Sequence, residues 1–400
     1  MVFEGKNSGA PGASQPAAPR ICFVGLANLP LLAPQYGPER TGGAELQQVL
    51  LAKALARRGL PVSMIVADHG QADGAVWHGI TTHKACAPRA GLPVLRFVHP
   101  HWTSLWSALK RANADVYYTS CAGALIAQVA MFTRSHSRKV VFRIASASDC
   151  DPRTLLIRYW RDKQLYRYGL RRADLVLAQT EEQRQAMRRN FQRDSTVVAP
   201  LLDQHGQRRD FSERDIDVLW VGNIRSLKRP DRVLELARRL RNARVHIVGG
   251  PYGGFESLFE SVRREAAELP NVQFHGRVPY AQVQSLYERA RLLVGTSEIE
   301  GFPNTYLQAW AHGAPVVAFL DPDRLIAHHD LGTVVSSVDE LQSAVAALLD
   351  DPLHWQRASE RCRRYIDARF EESAMVAPYV AELTGLFQSL PMTLCNSHPE

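Results

Sequence analysis

Short apolar segments alternate with amphipathic helical segments along most of this chain, and this alternation constrains the fold more than any other feature. The first unit has an apolar segment at 20–27, a segment with helically spaced apolar residues that ends on Gly59, and an apolar segment at 61–67. A strand, a helix and a strand in this order form a β-α-β unit, which is the building block of parallel sheets.

The same pattern occurs twice. Further strands of the first half are predicted at 115–120, 139–145 and 173–180. The second half has predicted strands at 217–223, 243–250, 272–278, 291–297 and 314–320, with helices at 230–241, 280–290 and 305–313. We therefore predict an α/β fold of two Rossmann-like, doubly wound parallel-sheet domains that face a cleft, with ligands at the carboxyl ends of the strands.

The domain boundaries follow from shifts in composition. A tail at 1–19 is rich in Gly, Ala, Ser and Pro and is predicted to be disordered. The first domain covers 20–202, the polar segment 203–215 is a predicted linker, and the second domain covers 216–370. A helix at 371–388 and a tail at 389–400 complete the chain.

The composition is that of a globular protein. The chain has 400 residues, of which 46% are hydrophobic and 22% are charged. No apolar run approaches the roughly 20 residues that cross a bilayer, and neither end resembles a secretory leader, so we expect a cytoplasmic protein. The six cysteines are scattered without a C-x-x-C pair, which argues against a zinc ribbon or a disulfide framework.

The net charge is +8, and much of the excess lies in the basic stretch 153–193. We favour a solvated, arginine-rich helix face for this stretch. Peripheral contact with an anionic membrane is the second interpretation. Nucleic acid is not expected as a partner, because zinc-finger, RRM and KH signatures are missing from the sequence.

Two segments have the character of phosphate-binding elements, although neither G-x-G-x-x-G nor G-x-x-x-x-G-K-[ST] occurs. Gly42 and Gly43 open a helix, and free N–H groups at a helix N-terminus attract an anion; a turn without a ligand explains the spacing equally well. Arg225 and Lys228 follow the strand 217–223, where cations suit a diphosphate. The Gly-rich segment 249–255 is more typical of a wide turn than of a loop that wraps a pyrophosphate.

Two D-x-D triplets are candidate metal ligands, since metal-bridged phosphates need carboxylates close together. The triplets are 149–151 and 321–323. Both precede or contain proline in turn-like surroundings, so we expect no metal site and no cofactor.

The segment SEIEGFPNTYLQ, residues 297–308, is the most informative. Glu300 lies at the carboxyl end of a predicted strand, where its carboxylate can accept hydrogen bonds from hydroxyl groups. Asn304 is the predicted N-cap of a helix that begins near Thr305, whose first N–H groups can hold a phosphate. Gln308 lies one turn further, on the face that points back toward this site.

Several motifs in order resemble the retaining GT-B glycosyltransferases of family 4. They are TGGAE (41–45), WVGNIRSLKRP (220–230), HIVGG (246–250), the long run 274–319 and the closing run 331–352. The resemblance covers about residues 20–388. It implies two Rossmann-like domains, an acceptor bound mainly by the first and a nucleotide-sugar bound by the second, and a last helix that crosses back to the first domain.

The resemblance also implies roles for individual residues. Gly42 and Gly43 would approach the donor diphosphate, Lys228 would neutralise it with help from Arg225, and Val278 would lie beside the nucleobase. Glu300 would bind hydroxyl groups of the donor sugar, and Gln308 stands where a glutamate usually binds the ribose. The backbone that would hold the sugar and the phosphate belongs to Gly301, Phe302, Pro303, Asn304 and Thr305.

Three positions depart from the family pattern. Gln308 replaces the second glutamate, and Asn223 replaces an arginine. The histidine that often follows the strand 139–145 is missing from the run Ala-Ser-Ala-Ser-Asp at 145–149. We name Ser146 and Asp149 as candidates for its contact on the acceptor side.

The predicted function is a metal-independent retaining glycosyltransferase. It would move a sugar from a UDP- or GDP-sugar to a glycan, a lipid-linked acceptor or another hydroxyl group, in bacterial polysaccharide or glycoconjugate biosynthesis. Retention is expected to involve attack on the front face, with the leaving phosphate taking the acceptor proton. Two alternatives stay open: a non-catalytic nucleotide-sugar or glycan-binding protein, and a nucleotide-sugar epimerase.

Overall fold

A computed structural model describes residues 18–37, 42–92, 97–203, 206–207 and 209–390. The prediction of a disordered tail concerns residues 1–17 almost entirely, and these lie outside the described residues. Thr41 of the TGGAE motif and residues 391–400 lie outside them as well.

The first half of the chain forms an eight-stranded sheet. Its strands are β1 (Ile21–Val24), β2 (Val62–Val66), β3 (Val76–Trp77), β4 (Ile80–Lys84), β5 (Val116–Ser120), β6 (Lys139–Arg143), β7 (Leu175–Ala178) and β8 (Thr196–Val197). Its helices are α1 (Leu29–Leu32), α2 (Gly43–Arg57), α3 (Thr103–Ala112), α4 (Leu125–Ser135), α5 (Trp160–Arg172) and α6 (Glu181–Phe191).

The second half forms a six-stranded sheet. Its strands are β9 (Ile216–Val221), β10 (Val245–Val248), β11 (Val272–Gly276), β12 (Ala290–Gly295), β13 (Val316–Ala318) and β14 (Gly332–Val334). Its helices are α7 (Pro230–Arg239), α8 (Glu256–Ala267), α9 (Tyr280–Arg289), α10 (Asn304–Ala311), α11 (Leu325–His329), α12 (Val338–Asp350), α13 (Pro352–Arg369) and α14 (Glu372–Gln388).

The strand order reverses once in each sheet. The first sheet has the order β3-β4-β2-β1-β5-β6-β7-β8 and the second β11-β10-β9-β12-β13-β14. All pairs are parallel except β3 with β4. In a doubly wound sheet a crevice opens at the reversal, outside the carboxyl ends of the strands. The reversals lie between β1 and β5 and between β9 and β12. We therefore expect ligands at the carboxyl ends of these four strands.

The register of the central strands follows from their apolar side chains. Phe23 of β1 lies opposite Met64 on one side and Tyr118 on the other, and all three are buried. In the second sheet Leu219 of β9 lies opposite Leu293 of β12. Strands covered by helices on both faces are apolar along their whole length, which explains why the sequence shows continuous apolar runs here.

The last helix, α14, joins the end of the chain to the first domain. The carboxylate of Glu372 pairs with Arg57 at 3.0 Å and with Arg58 at 3.1 Å, at the end of α2. The hydroxyl of Tyr379 donates a 2.9 Å hydrogen bond to the carbonyl oxygen of Ala199. One buried apolar cluster contains residues of both sheets together with Tyr379.

The prediction of two doubly wound parallel sheets is confirmed, and each strand predicted from the sequence is present. No bounds were predicted for the hairpin of β3 and β4, for the strands β8 and β14, or for the helices α1, α3, α4, α5, α6, α8 and α11. The hairpin and β8 are short edge elements with mixed polarity, so they carry little periodic signal. Within the described ranges no helix combines the length and the apolar composition needed to span a bilayer.

Candidate active site between the two sheets

A cleft of about 430 Å³ lies between the carboxyl ends of the two sheets. The first domain contributes the start of α2 and the loops after β5, β6 and β7. The second contributes the loops after β9, β10, β11 and β12 and the first turn of α10. Both points of strand reversal therefore open into the same space, as the topology requires for a ligand that contacts both domains.

A chain of hydrogen bonds connects the loops after β9 and β12. The indole N–H of Trp220 donates to the hydroxyl of Thr296 at 2.7 Å, and this hydroxyl donates to the carbonyl oxygen of Lys228 at 2.6 Å. The backbone N–H of Glu298 donates to the carbonyl oxygen of Leu227 at 2.9 Å. Trp220 is 2% exposed, so a buried strand residue fixes the position of the loop that carries Lys228.

The ammonium of Lys228 forms an ion pair with the carboxylate of Glu300 at the floor of the cleft. Their side chains are 19% and 11% exposed. The other acid of the segment, Glu298, pairs instead with Arg229 near the surface. The two residues assigned by sequence to the diphosphate and to the sugar are therefore adjacent, and each holds the other in place.

The backbone around Glu300 packs directly on the first domain. The N–H of Ala147 donates a 2.9 Å hydrogen bond to the carbonyl oxygen of Glu300. Gly301 is buried against Ala145: a Cβ atom at Gly301 would lie 2.2 Å from the Ala145 carbonyl oxygen and 2.7 Å from the amide nitrogen of Gln179. Gly301 thus does not line the cleft itself. Its missing side chain lets the two domains approach each other.

We predict that Gly301→Ala destabilises the protein by about 1–3 kcal/mol, because the added methyl group must displace backbone atoms of the opposite domain. A denaturant titration measures this change. Gly123→Ala is the matched control, since a Cβ atom there meets no atom of the described residues within 4 Å. Equal stability of Gly301→Ala and Gly123→Ala would contradict the close approach.

The prediction that Asn304 caps α10 is wrong. The helix begins at Asn304 itself, Pro303 occupies the N-cap position, and no side chain among the described residues caps the helix. The Asn304 amide instead bridges the domains: its nitrogen donates to the carbonyl oxygen of Gly43 at 3.1 Å, and its oxygen accepts from Gln47 at 3.2 Å. The uncapped N–H groups of α10 remain directed toward the cleft, where they favour an anion.

The N-terminus of α2 faces the same space. Gly42 is the N-cap residue in an extended conformation, Gly43 is the first helical residue, and both line the cleft. Glu45 folds back over this turn, since a Cβ atom at Gly42 would lie 2.1 Å from its carboxylate oxygen. Burial raises the pKa of Glu45 above its usual value. A hydrogen bond from its own backbone N–H lowers this pKa, but by less. A Cβ atom at Gly43 would lie 2.9 Å from the side-chain nitrogen of Asn304, so each glycine leaves room for a different neighbour.

Gln308 and Val278 lie at the second-domain end of the cleft. Gln308 is buried at 7% exposure, and its side chain hydrogen-bonds the hydroxyl of Tyr280. Arg225 lies further along the wall, with its guanidinium carbon 5.2 Å from the centre of the Tyr252 ring. The Nε atom of Arg225 is buried and has no hydrogen-bond partner within the part of the chain that is described.

Ser146 and Asp149 line the first-domain half of the cleft and form a reciprocal cap on the short helical turn Ala147–Cys150. A carboxylate oxygen of Asp149 accepts from the N–H of Ala145 at 2.9 Å and of Ser146 at 3.2 Å. Burial raises the pKa of Asp149 to about 6, which outweighs these hydrogen bonds. Asp151 of the same triplet is directed away, toward Arg153.

The raised pKa of Asp149 gives a testable pH dependence. The folded state binds a proton more tightly than the unfolded chain, so this carboxyl group stabilises the fold at low pH and loses that contribution as the pH rises through about 6. A pKa raised from 3.8 to about 6 corresponds to about 3 kcal/mol. We predict that the stability of the wild type relative to Asp149→Asn falls by up to this amount between about pH 4 and about pH 7.

Denaturation curves over this pH range measure the effect. Asp151→Asn is the matched control: Arg153 lowers the pKa of Asp151, so its contribution has the opposite sign and is lost as the pH falls. A flat difference between wild type and Asp149→Asn would contradict the burial of an ionisable carboxyl group.

The carboxylates of the second D-x-D triplet accept hydrogen bonds from backbone N–H groups. Asp321 accepts from the N–H groups of Ile326 at 2.7 Å and Ala327 at 3.1 Å, at the start of α11. Asp323 accepts from the N–H groups of Glu181 at 2.8 Å and Glu182 at 3.1 Å. Asp323 belongs to the second domain and caps α6 of the first, so this carboxylate holds the domains together.

The structure brings the predicted site residues to one cleft, with Gly301 alone behind its wall. Those that line it are Gly42, Gly43, Ser146, Asp149, Arg225, Lys228, Val278, Glu300, Phe302, Pro303, Asn304, Thr305 and Gln308. Further lining residues were not predicted from the sequence: Glu45, Arg143, Gln179, Tyr252, Arg277 and Tyr280. Glu45 is the last residue of the TGGAE motif, so its place in the cleft has a signal in the sequence. Arg143 ends an apolar strand, where an arginine carries no signal of its own.

Comparison with known proteins agrees with this architecture. A family model described as "Glycosyltransferase Family 4" matches residues 41–203, and one described as "Glycosyl transferases group 1" matches residues 215–351. A D-inositol 3-phosphate glycosyltransferase of Mycolicibacterium paratuberculosis is 33% identical over 181 residues, which are 42% of this chain and 40% of that protein. The matched part therefore spans about two fifths of that relative's length.

Solved structures of low sequence identity share the fold over nearly the whole chain. HepE of Anabaena, in complex with UDP and glucose, has a TM-score of 0.70 at 15% identity and covers 92% of this chain and 100% of its own. A sucrose-phosphate synthase of Thermosynechococcus elongatus has a TM-score of 0.75 at 18% identity, with coverages of 93% and 100%. WaaG, a glycosyltransferase of lipopolysaccharide biosynthesis, has a TM-score of 0.67 at 17% identity, with coverages of 91% and 100%.

Proposed function

Because this chain belongs to glycosyltransferase family 4 and has the GT-B fold, we propose that it transfers a sugar from a nucleoside diphosphate sugar to a hydroxyl group, with retention of configuration and without a metal ion. The observation that carries the proposal is the ion pair of Lys228 with Glu300 on the cleft floor. A cation for a diphosphate and a carboxylate for sugar hydroxyls stand side by side, between the N-termini of α2 and α10.

The donor diphosphate is assigned to the centre of the cleft. Lys228 and Arg225 supply positive charge from the second domain, and the N-termini of α10 and α2 supply partial positive charge from both sides. These groups stabilise the charge that grows on the leaving diphosphate as the glycosidic bond breaks. With this many fixed positive groups the leaving group needs no bridging metal.

The nucleoside is assigned to the end of the cleft near Val278, Tyr280 and Gln308. Val278 and the Tyr280 ring offer apolar surface to a base, and the Gln308 amide can accept a hydrogen bond from a ribose hydroxyl. A neutral amide near the diphosphate repels it less than a carboxylate would. HepE of Anabaena is solved in complex with UDP, which supports a uridine donor, with a GDP-sugar as the other expected donor.

In the proposed reaction the acceptor enters from the first-domain half of the cleft. Its hydroxyl oxygen bonds to the anomeric carbon on the face from which the diphosphate departs, the bond from that carbon to the phosphate oxygen breaks, and the hydroxyl proton passes to the leaving phosphate. Glu300 orients the sugar through its hydroxyl groups and holds Lys228 beside the phosphate. No protein nucleophile takes part.

We predict that Glu300→Gln lowers turnover of the nucleotide-sugar by about 10²-fold or more, because the amide loses charge-assisted hydrogen bonds worth about 3 kcal/mol in the transition state. Release of the nucleoside diphosphate from a panel of UDP- and GDP-sugars measures turnover. Glu298→Gln is the matched control, since this neighbouring carboxylate pairs with Arg229 near the surface. Activity should survive EDTA.

Each other outcome has a definite meaning. Full activity of Glu300→Gln would contradict the proposed role of Glu300 in binding the donor sugar. Loss of wild-type activity in EDTA would contradict metal independence. Tight nucleotide binding without turnover across donors and acceptors would indicate a non-catalytic binding protein. Conversion of the donor sugar without an acceptor would indicate an epimerase.

We further propose a lipid-linked acceptor that is reached at an anionic membrane surface, in polysaccharide or glycoconjugate biosynthesis. Three apolar side chains protrude just before and at the start of α5: Leu156 is 59% exposed, Tyr159 56% and Trp160 75%. Arg153 and Arg161 flank them and are exposed too. Aromatic side chains beside arginines suit the interface of an anionic bilayer, and Leu156 also lines the cleft, so a lipid-borne acceptor would enter directly.

We predict that the protein sediments with vesicles that contain anionic phospholipid and that added salt weakens this binding. Trp160→Ser should weaken the binding roughly tenfold, because it removes an aromatic side chain that the bilayer would bury. Leu353→Ser is the control, because Leu353 is 70% exposed on α13 of the other domain. Equal binding to purely zwitterionic vesicles, or an unchanged Trp160→Ser, would contradict the membrane contact.

A further inference from the structure

Arg143 is a buried cation that the proposed donor site does not use. It is the last residue of β6, its side chain is only 2% exposed, and it lines the cleft from the first-domain side. The guanidinium donates a hydrogen bond to the hydroxyl of Tyr379 on α14, and this hydroxyl in turn donates to the carbonyl oxygen of Ala199. Tyr379 therefore contacts the guanidinium and is itself anchored to the backbone of the first domain.

One edge of the Arg143 guanidinium has N–H donors without acceptors among the described residues. Its Nε and Nη2 atoms are both buried and find no hydrogen-bond partner among the described residues. These two nitrogens carry the pair of N–H bonds that point in parallel from one side of the guanidinium. This edge matches the two oxygens of a carboxylate or a phosphate.

An unpaired buried guanidinium is costly, since burial removes the water that solvates the charge. The acids that line the same half of the cleft are engaged elsewhere. The carboxylate of Glu45 folds over the start of α2, and the carboxylate of Asp149 accepts two backbone N–H groups. A buried guanidinium that pairs with no carboxylate of the described residues is explained most simply by a ligand that supplies the negative charge.

The position separates Arg143 from the donor phosphates. Lys228 and Arg225 lie on the loop after β9 in the second sheet, whereas Arg143 ends β6 in the first. Its neighbours on the cleft wall are Ala145 and Ser146, on the side assigned to the acceptor.

We propose that Arg143 forms an anion subsite in the acceptor half of the cleft, which binds a phosphate or carboxylate group carried by the acceptor. This inference rests on the proposed function and narrows its substrate class. The Nε and Nη2 atoms donate to two oxygens of the anion side by side, so the subsite selects an acidic acceptor over its neutral counterpart. Arg143 acts on specificity and on acceptor position.

The experiment compares three sugars as probes by titration calorimetry: glucose 6-phosphate, glucuronate and glucose. The protein is saturated with UDP, which fills the donor phosphate site. We expect at least one of the acidic sugars to bind at least about tenfold more tightly than glucose, and the better of the two identifies the anion as phosphate or carboxylate. Arg143→Met should abolish this preference, and Arg143→Lys should retain only part of it, because an ammonium lacks the parallel donors.

Arg225→Met is the matched control. Arg225 has an unpartnered Nε atom among the described residues, in the same cleft but on the donor side, so this variant should weaken UDP binding and leave the preference for the acidic sugar intact. Arg143→Met should show the reverse. The melting temperature of ligand-free Arg143→Met should equal or exceed that of the wild type, because the substitution removes an unpaired buried charge. A purely structural arginine would instead give a marked loss of stability.

Three results would overturn the inference. They are equal binding of acidic and neutral sugars to the wild type, a preference that survives Arg143→Met, and a loss of UDP affinity in Arg143→Met in place of the loss of acidic-sugar preference. If UDP itself does not bind, the proposed donor site is wrong, and the same titrations without UDP still test Arg143 on its own.

Discussion

The cleft depends on one close contact between two backbones. Gly301 lies against the carbonyl oxygen of Ala145, and the N–H of Ala147 donates to the carbonyl oxygen of Glu300. A hydrogen bond between backbones tolerates little displacement, and a glycine is the residue that leaves room for it. The contact lies at the carboxyl ends of β6 and β12, so it fixes the distance between the edges of the two sheets where ligands bind.

The charges of the cleft are arranged around this contact. Lys228 and Glu300 neutralise each other on the second-domain side, held by the buried hydrogen-bond chain from Trp220 through Thr296. Arg143 lies on the first-domain side without a carboxylate partner among the described residues, supported by Tyr379. The proposed mechanism uses this asymmetry: the diphosphate competes with Glu300 for Lys228, whereas an acidic acceptor meets an arginine that has no competing carboxylate.

The sequence predicted the sheets well, because parallel strands buried on both faces leave continuous apolar runs with helices between them. It also predicted most of the residues that line the cleft, since the residues after a parallel strand gather at one edge. The resemblance to family 4 added their roles, and these are still proposals. The prediction that Asn304 caps α10 was wrong, because its side-chain amide hydrogen-bonds Gly43 and Gln47 of the other domain. Local sequence propensity contains no information about such contacts.

Arg143 and Tyr379 show where prediction from sequence ends. They are 236 residues apart in the numbering, and only the return of α14 to the first domain brings the hydroxyl to the guanidinium. The uncapped start of α10 is a second case, since its open N–H groups follow from a proline at the N-cap position and from an asparagine drawn to the opposite domain. The contact of Arg143 with Tyr379 and the displaced Asn304 amide arise from tertiary contacts, which no local pattern encodes.

The most direct test of this account is a crystal structure with UDP bound. We expect the diphosphate between the N-termini of α2 and α10, with the Lys228 ammonium within hydrogen-bonding distance of the outer phosphate and the uracil beside Val278. Glu300 should then face the space next to that phosphate, where a donor sugar would lie. A diphosphate bound outside the cleft, or inside it with no contact to Lys228, would contradict the central claim.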